Sequence, residues 1–300
     1  MMLMKKDTKQ MLIICGSIIA VFLILLSSIY IYSGVKPPFS TINSGSMQHS
    51  EDRSSIGTID TGDMVIVKDP DTYEITTYVE GSKKGYSKFG EYGDVIIYRT
   101  DVNNIIHRAI IEVTLKDKQL DEHNSLITKC QIWKIPSLRD YDDWGLFNKV
   151  GTDMIQIDHS MLWDEEKGEL TMTQDDKDIY FGLTNVGYSK DSIYIKLWHI
   201  GKNNESGYSG YLTKGDNATT NTSFDQNILS QVRNELVTED MIKSVATVEI
   251  PWLGCIKLYV NGTNTDQIPT NSLISLIVAF FAILVIALGI NYIFSHRRNK

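Results

Sequence analysis

The sequence predicts a mainly β domain anchored by two membrane-spanning helices. Two uncharged apolar runs, Met11 to Ser33 and Leu273 to Phe294, are each long enough to cross about 30 Å of hydrocarbon at about 1.5 Å per residue. Between them, short runs rich in β-branched residues follow one another, and two of these open with Gly-Asp. One stretch near 223–243 is typical of a helix. We therefore expect a membrane-anchored β-sheet domain between two transmembrane helices, with a single helix of its own.

Basic residues beside the apolar runs predict the orientation. Each run has three of them on its terminal side: Lys5, Lys6, Lys9, Arg297, Arg298 and Lys300. The positive-inside rule then assigns residues 1–10 and 295–300 to cytoplasmic tails and residues 34–272 to the extracytoplasmic side of a cell membrane. A cleaved signal peptide is the rival interpretation of the N-terminus, but the first apolar run is longer than the core of such a signal.

Charge and cysteine content restrict the partners. The chain carries −8, and because the tails carry +2 and +3, the remainder carries −13. An acidic domain disfavours nucleic acid, whose phosphates need clustered basic residues. Cys15 lies in the first apolar run, so Cys130 and Cys255 are the only outer pair, and a disulfide between them is left open. The three cysteines do not have the spacing of a zinc-binding motif, and we predict neither a metal nor a cofactor.

The strand predictions cover most of the outer segment. The seven strand candidates are 63–68, 94–99, 105–113, 126–133, 178–183, 192–197 and 246–253. Each Gly-Asp is expected to form a turn into its strand. Residues 76–93 are expected to form a flexible hairpin or loop. Residues 116–203 are polar and acidic, and we expect an inserted subdomain whose role stays open.

Two residue types point to hydrolysis. Ser46 lies in the run NSGSMQ, about a dozen residues after the first apolar run, where a nucleophile can act only on something that the bilayer also holds. A serine hydroxyl needs a partner base, because it is barely ionised at neutral pH. His107 lies in the apolar strand candidate IIHRAI, which would hold its ring rigidly as a general base.

Five short motifs occur in one order: SGSM after a membrane span, GDMVIVK, GDVIIYR, IIHRAI and LTKGDN. This order resembles the type I signal peptidases, in their archaeal and endoplasmic-reticulum branch, over roughly residues 10–115 and 208–260. The resemblance implies a β-sheet catalytic domain of signal-peptidase type, with Ser46 as the nucleophile and His107, followed by Arg108, as the base. It also implies an acid from the last motif or shortly after it, and we favour Asp225 over Asp216.

The remaining roles follow from the same resemblance. The Ser46 backbone N–H and the Ser44 hydroxyl would hold the oxyanion. The strands of Val65 and Val95 would form shallow pockets for small residues at positions −1 and −3 of a signal peptide. An extended substrate would add to a sheet edge.

The sequence also departs from the family pattern. His49 stands where the family usually has proline, and its closeness to Ser46 makes it a rival base. Asp225 follows Asp216 by nine positions, more than the family usually has, which leaves the choice of acid open. Turn and helix-cap chemistry is the alternative role for either aspartate.

The sequence therefore predicts a membrane-bound serine endopeptidase that removes N-terminal signal peptides from exported preproteins. Its expected partners are signal peptides of secretory preproteins, membrane lipid and the translocon. Two alternatives stay open: a membrane-anchored surface or binding protein without activity, and a processing peptidase dedicated to one partner.

Overall fold

The computed structural model of the protein describes residues 6–124 and 127–298. The outermost residues of both predicted tails lie outside these ranges, and so do residues 125 and 126. The helices are α1 (Lys6–Ser33), α2 (Tyr78–Lys84), α3 (Leu197–Asn203), α4 (Asp225–Ile228), α5 (Cys255–Asn261) and α6 (Ser272–Arg298). The strands are β1 (Phe39–Thr41), β2 (Met64–Lys68), β3 (Ser87–Lys88), β4 (Glu91–Tyr92), β5 (Val95–Arg99), β6 (Asn104–Leu120), β7 (Thr128–Lys134), β8 (Trp144–Val150), β9 (Asp153–Ile157), β10 (Trp163–Asp164), β11 (Glu169–Thr173), β12 (Tyr180–Val186), β13 (Asp191–Ile195), β14 (Ser209–Lys214) and β15 (Ile242–Ile250).

The fold between the two long helices is mainly β, as predicted. The largest sheet runs β1-β2-β15-β5-β6-β7-β11-β10, and β14 also pairs with β6; all of its pairs are antiparallel. A second sheet runs β13-β12-β8-β9, and β3 and β4 form a small hairpin. Helices α1 and α6 are long and apolar enough to cross a membrane: the spans are Cys15–Ser33 and Ser272–Gly289.

The Gly-Asp pairs begin their strands as the sequence predicts. Gly62 and Gly93 have positive φ, the region that glycine adopts without steric cost. The buried carboxylate of Asp63 accepts the backbone N–H groups of Asp60 and Trp252 at 2.7 Å each. The Asp94 carboxylate accepts the Thr76 N–H at 2.9 Å. Each aspartate thus satisfies backbone donors where the chain turns into β2 or β5.

The insertion predicted at 116–203 is divided between the two sheets. Strands β7, β10 and β11 extend the large sheet, whereas β8, β9, β12 and β13 form the whole of the second one. Both contribute to one hydrophobic core, in which Trp133, Trp144 and Trp198 are buried beside Ile111 and Leu212 of the large sheet. The insertion therefore packs as part of the domain.

The prediction of a helix near 223–243 is wrong. Within this stretch only the four residues of α4 are α-helical, and turns of 3-10 helix follow at Ser230–Val232 and Glu239–Met241. Asn234 has φ 58°, and Val237 exchanges two backbone hydrogen bonds with Tyr211 of β14, at 2.9 and 3.0 Å. Pairing with the sheet overrides the helical pattern of the sequence because it satisfies the same backbone groups while burying Val237.

Residues 76–93 contain the predicted hairpin, formed by β3 and β4, and also a helix that was not predicted. Helix α2 begins with a capping box, in which Thr77 and Glu80 satisfy each other's backbone N–H groups, and Gly85 ends it in the left-handed conformation. The Thr-x-x-Glu spacing was the available sequence signal for this helix.

Candidate active site

Ser46 lies on one turn of 3-10 helix, Gly45–Met47, between β1 and β2. The Met47 side chain is fully buried in a cluster with Ile42, Ile59, Val65 and Val95. Ser44, Gly45 and Ser46 are partly exposed, whereas Met47 and Gln48 are buried, so Ser46 stays half-buried at the surface. Burial of Met47 thus anchors the turn and explains why an apolar residue follows the serine.

The loop after β14 holds the Ser46 turn through its carbonyl groups. The Asn217 backbone N–H donates to the Ser46 carbonyl at 3.0 Å, and the Asn217 side-chain amide donates to the Gly45 carbonyl at 2.8 Å. The buried Asn221 amide donates to the Ser46 carbonyl at 3.2 Å. A Cβ at Gly215 would lie 2.5 Å from that same carbonyl oxygen, so only glycine permits this close approach.

A second loop, between α5 and α6, holds the same turn from another direction. The Gln267 side-chain oxygen accepts the Gly45 backbone N–H at 3.1 Å. The Asn264 amide donates to the Asn43 carbonyl at 2.5 Å. Ser46 is therefore fixed by loops far apart in sequence, and this is a network that short-motif reasoning does not reach, apart from Asn217 of the Gly-Asp-Asn motif.

His107 and Asp225 form a buried pair. The His107 Nδ1 atom lies 2.7 Å from Asp225 Oδ2. The same oxygen accepts the hydroxyl groups of Thr213 at 2.7 Å and Tyr98 at 2.9 Å. Strands β6, β5 and β14 supply these partners, and α4 begins at Asp225, so the contact is made between rigid elements. With Nδ1 donating to the carboxylate, the neutral imidazole has its lone pair at Nε2.

The environment of Asp225 favours its charged form. Burial alone raises the pKa of a carboxyl group, but the charge of His107 and the hydrogen bonds from His107, Thr213 and Tyr98 outweigh it and lower the pKa of Asp225. The carboxylate is consequently negative at neutral pH, and it can orient and stabilise a protonated imidazole.

Asp216 has a different partner, Arg108. The guanidinium Nε and Nη2 atoms donate to the two Asp216 oxygens at 2.8 and 2.5 Å. Burial raises the pKa of Asp216, and the Arg108 charge overcomes this and holds it well below its ordinary value. Arg108 Nη1 also donates to the carbonyls of Lys88 at 3.1 Å and Gly93 at 2.8 Å. This pair joins the hairpin β3-β4 to the loop that holds Ser46.

His49 contacts Tyr188 and Asp216. Its ring stacks on Tyr188 with centroids 4.4 Å apart, and its Nε2 atom lies 3.7 Å from Asp216 Oδ2. Tyr188 lies in the turn between β12 and β13, and its hydroxyl accepts the Ala218 backbone N–H at 3.3 Å. The insertion thus contacts, through one tyrosine, both the segment after Ser46 and the loop after β14.

Ser46 and His107 line one cavity of about 900 Å³. Ser46 Oγ lies 3.4 Å from Ser44 Oγ, and among the described residues no hydrogen bond joins it directly to His107. Hydrogen bonds between reacting groups are often long in a free enzyme and shorten when substrate binds. The structure brings the hydroxyl and the imidazole to one cavity without closing a hydrogen bond between them.

The prediction that Val65 and Val95 form substrate pockets disagrees with the structure. Both side chains are fully buried in the cluster around Met47. Ile97 lies two residues after Val95, on the same face of β5, and belongs to the same cluster, but it reaches the cavity that Val95 does not line. The apolar residues that line the cavity include Ile97 and Ile106, which pair across β5 and β6, together with Ile105 and Leu229.

The cavity lies beside two unpaired strand edges. Strand β1 is the end strand of its sheet, and Ser40 and Thr41 of this strand line the cavity. The first residues of β6, Asn104 to His107, pair with β5 but not with β14, whose register begins at Arg108. These residues also line the cavity, so backbone donors and acceptors border it from two strands.

Cys130 and Cys255 are both free, so the open disulfide does not form. Among residues 6–124 and 127–298, no group of three or more His, Cys, Asp or Glu side chains is arranged to hold a metal ion. Comparison with family models, curated proteins and solved structures gives no match for this chain.

Proposed function

We propose that this protein is a membrane-anchored serine endopeptidase that removes N-terminal signal peptides from exported preproteins. The observation that carries the proposal is the cavity shared by Ser46 and His107, with the imidazole bound to the buried Asp225 carboxylate. A charged aspartate behind a histidine, with a serine at the same cavity, is the arrangement of a general-base hydrolase.

The proposed mechanism assigns one role to each group. Ser46 Oγ attacks the scissile carbonyl, and His107 Nε2 accepts its proton and later protonates the leaving amine. Asp225 orients the ring and stabilises its charged form. The Ser46 backbone N–H and the Ser44 hydroxyl hold the oxyanion; the 3.4 Å separation of the two serine oxygens supports this role for Ser44.

The unpaired edges support an extended polypeptide as the substrate. A peptide lying between β1 and the start of β6 would form backbone hydrogen bonds with both, and Ile97 and Ile106 would contact its apolar side chains. Helices α1 and α6 would anchor this cavity near a bilayer with both termini in the cytoplasm, so that a substrate already held in the membrane, or arriving from the translocon, reaches Ser46.

The proposal is tested on full-length protein in lipid nanodiscs with a preprotein whose signal ends in Ala-x-Ala. We expect cleavage by the native chain, no cleavage by Ser46→Ala or His107→Ala, and near-native cleavage by His49→Ala. Cleavage by Ser46→Ala would end the serine mechanism. Loss of activity in His49→Ala but not in His107→Ala would reassign the base. Cleavage of several unrelated preproteins would separate a general role from a dedicated one.

A further inference from the structure

Helix α5 has a buried face that joins it to α6. Successive side chains of an α-helix point about 100° apart, so Cys255 and Leu258 fall on the same side. Both are buried in a cluster with Ile268, and Leu276 in the second turn of α6 packs against this cluster. These contacts fix α5 beside the point where α6 begins.

A second, exposed apolar face lies next to the buried one. The side chains of Ile256, Tyr259 and Val260 are 54%, 46% and 80% exposed. At about 100° per residue these three occupy one adjoining sector of the helix, while Lys257 and Asn261 fall together on the remaining side. An exposed apolar stripe between a packed face and a polar face is typical of a helix that lies in a membrane interface.

Exposed apolar side chains also occur on α6, the helix beside α5. From Leu273 onward α6 presents large exposed apolar side chains, among them Ile274 at 65% and Ile277 at 48% exposure. Since the Leu276 contact holds α5 beside this first part of α6, the helix that carries the stripe lies next to the residues that would enter the bilayer. This proximity favours lipid over a protein partner as the occupant.

The same segment also holds the Ser46 turn. The loop from α5 to α6 contains Asn264 and Gln267, whose side chains bind the Asn43 carbonyl and the Gly45 N–H. A surface that positions α5 therefore also positions the loop that supports Ser46.

We propose that α5 lies on the lipid surface, with Ile256, Tyr259 and Val260 inserted at the boundary between headgroups and acyl chains, and that this contact steadies the Ser46 turn through Asn264 and Gln267. The inference rests on the membrane anchoring proposed above. Three side chains give only weak binding by themselves, but α6 tethers α5 at the surface, so the contact needs no high intrinsic affinity.

The test measures lipid contact at single positions in full-length protein in nanodiscs. Cys15→Ser and Cys130→Ser remove the accessible thiols, while the fully buried Cys255 is retained. An environment-sensitive fluorophore is attached to Val260→Cys, and its quenching by lipids that carry a doxyl group is recorded.

Two further positions serve as controls. Ile283→Cys, 68% exposed within α6, reports on membrane anchoring itself, and Val150→Cys, 58% exposed on the insertion, is the matched aqueous control. We expect strong quenching at 260 and 283 and little at 150. Quenching at 283 but not at 260 overturns this inference alone. No quenching at 283 overturns the anchoring and this inference with it. A blue-shifted but unquenched emission at 260 means that protein covers the face, and it also overturns the inference.

A second measurement tests the link to Ser46. The rate at which a fluorophosphonate labels Ser46 in nanodiscs is expected to fall at least tenfold in the double variant Ile256→Asp, Val260→Asp. The matched double variant Val150→Asp, Ile155→Asp should label at the native rate. Equal rates for the two double variants would overturn the link, whereas absence of labelling in the native chain would contradict the proposed function instead.

Discussion

Replacing Asp225 with asparagine isolates the effect of a single charge. All three donors, from His107, Thr213 and Tyr98, converge on the Oδ2 atom, and Oδ1 has no hydrogen-bond partner among the described residues. The amide oxygen of Asp225→Asn can therefore occupy the Oδ2 position and keep all three hydrogen bonds, including the one that sets the His107 tautomer. The amide NH2 then lies where Oδ1 was, as an unpaired buried donor that costs about 1–3 kcal/mol of stability.

The expected loss of rate follows from the distance within the pair. In the transition state His107 carries a positive charge 2.7 Å from the carboxylate oxygen. Two unit charges at that distance attract by about 6 kcal/mol at an effective dielectric constant of about 20. Because about 1.4 kcal/mol corresponds to a factor of ten, we expect the rate to fall about 10⁴-fold.

The assay is single-turnover cleavage of a preprotein by nanodisc-embedded protein, with the free energy of unfolding measured in parallel. Thr213→Val is the matched control, since it removes one donor to Asp225 but keeps the charge, and we expect it to lose no more than about tenfold. A rate for Asp225→Asn within tenfold of the native rate, in folded protein, would refute the assignment of Asp225 to the catalytic group.

Three further predictions concern the surroundings of the pair. Ser44→Ala should slow cleavage about a hundredfold with little change in KM, measured by steady-state kinetics, because an oxyanion donor acts mainly in the transition state. Gly215→Ala should slow Ser46 labelling by more than tenfold, since its Cβ would displace the Ser46 carbonyl; labelling at the native rate would contradict the packing. Asp216→Asn should lower the free energy of unfolding by about 3–5 kcal/mol at pH 7, because it leaves Arg108 buried without its partner. The pKa of Asp216 is lower in the folded chain than its value of about 3.9 in the unfolded chain. The difference in the free energy of unfolding between the native chain and Asp216→Asn is therefore complete above about pH 3.9 and should shrink as the pH falls below it. Unfolding measured at several pH values with a constant difference between the two proteins would contradict this.

Local patterns predicted seven of the fifteen strands in the described part of the chain, but not which of their residues line the cavity. The runs that begin with Gly62-Asp63 and Gly93-Asp94 form β2 and β5 because turn chemistry and β-branched side chains agree there. Which positions of those strands reach the cavity depends on what packs against them: Val65 and Val95 are fully buried in the cluster with Met47 and Ile59, whereas Ile97, on the same face of β5, lines the cavity. How far each position is covered is a tertiary property that a single strand's sequence does not contain.

The candidate site shows the same division. Ser46 and His107 could be singled out because a nucleophile and a base are recognisable residue types in recognisable contexts. The residues that hold them in place could not be singled out. Gln267, which binds the Ser46 turn, and Tyr98, which binds Asp225, carry no recognisable motif, and their positions depend on contacts between distant parts of the chain. The choice between Asp216 and Asp225 as the partner of His107 likewise needed coordinates. Asp216 comes first in the sequence, but it binds Arg108, the residue after the histidine, and not His107.

The amides of Asn217 and Asn221 have a consequence for producing this protein. Each is the first residue of an Asn-x-Ser/Thr triplet, the acceptor for N-linked glycans, yet both side chains are almost completely buried and donate to carbonyls of the Ser46 turn. An oligosaccharide added to either during synthesis would occupy the space that this turn needs. Expression in a glycosylating host would thus yield chains that cannot fold correctly around this turn. In a host without N-glycosylation, both amides stay free to donate their hydrogen bonds to the Gly45 and Ser46 carbonyls.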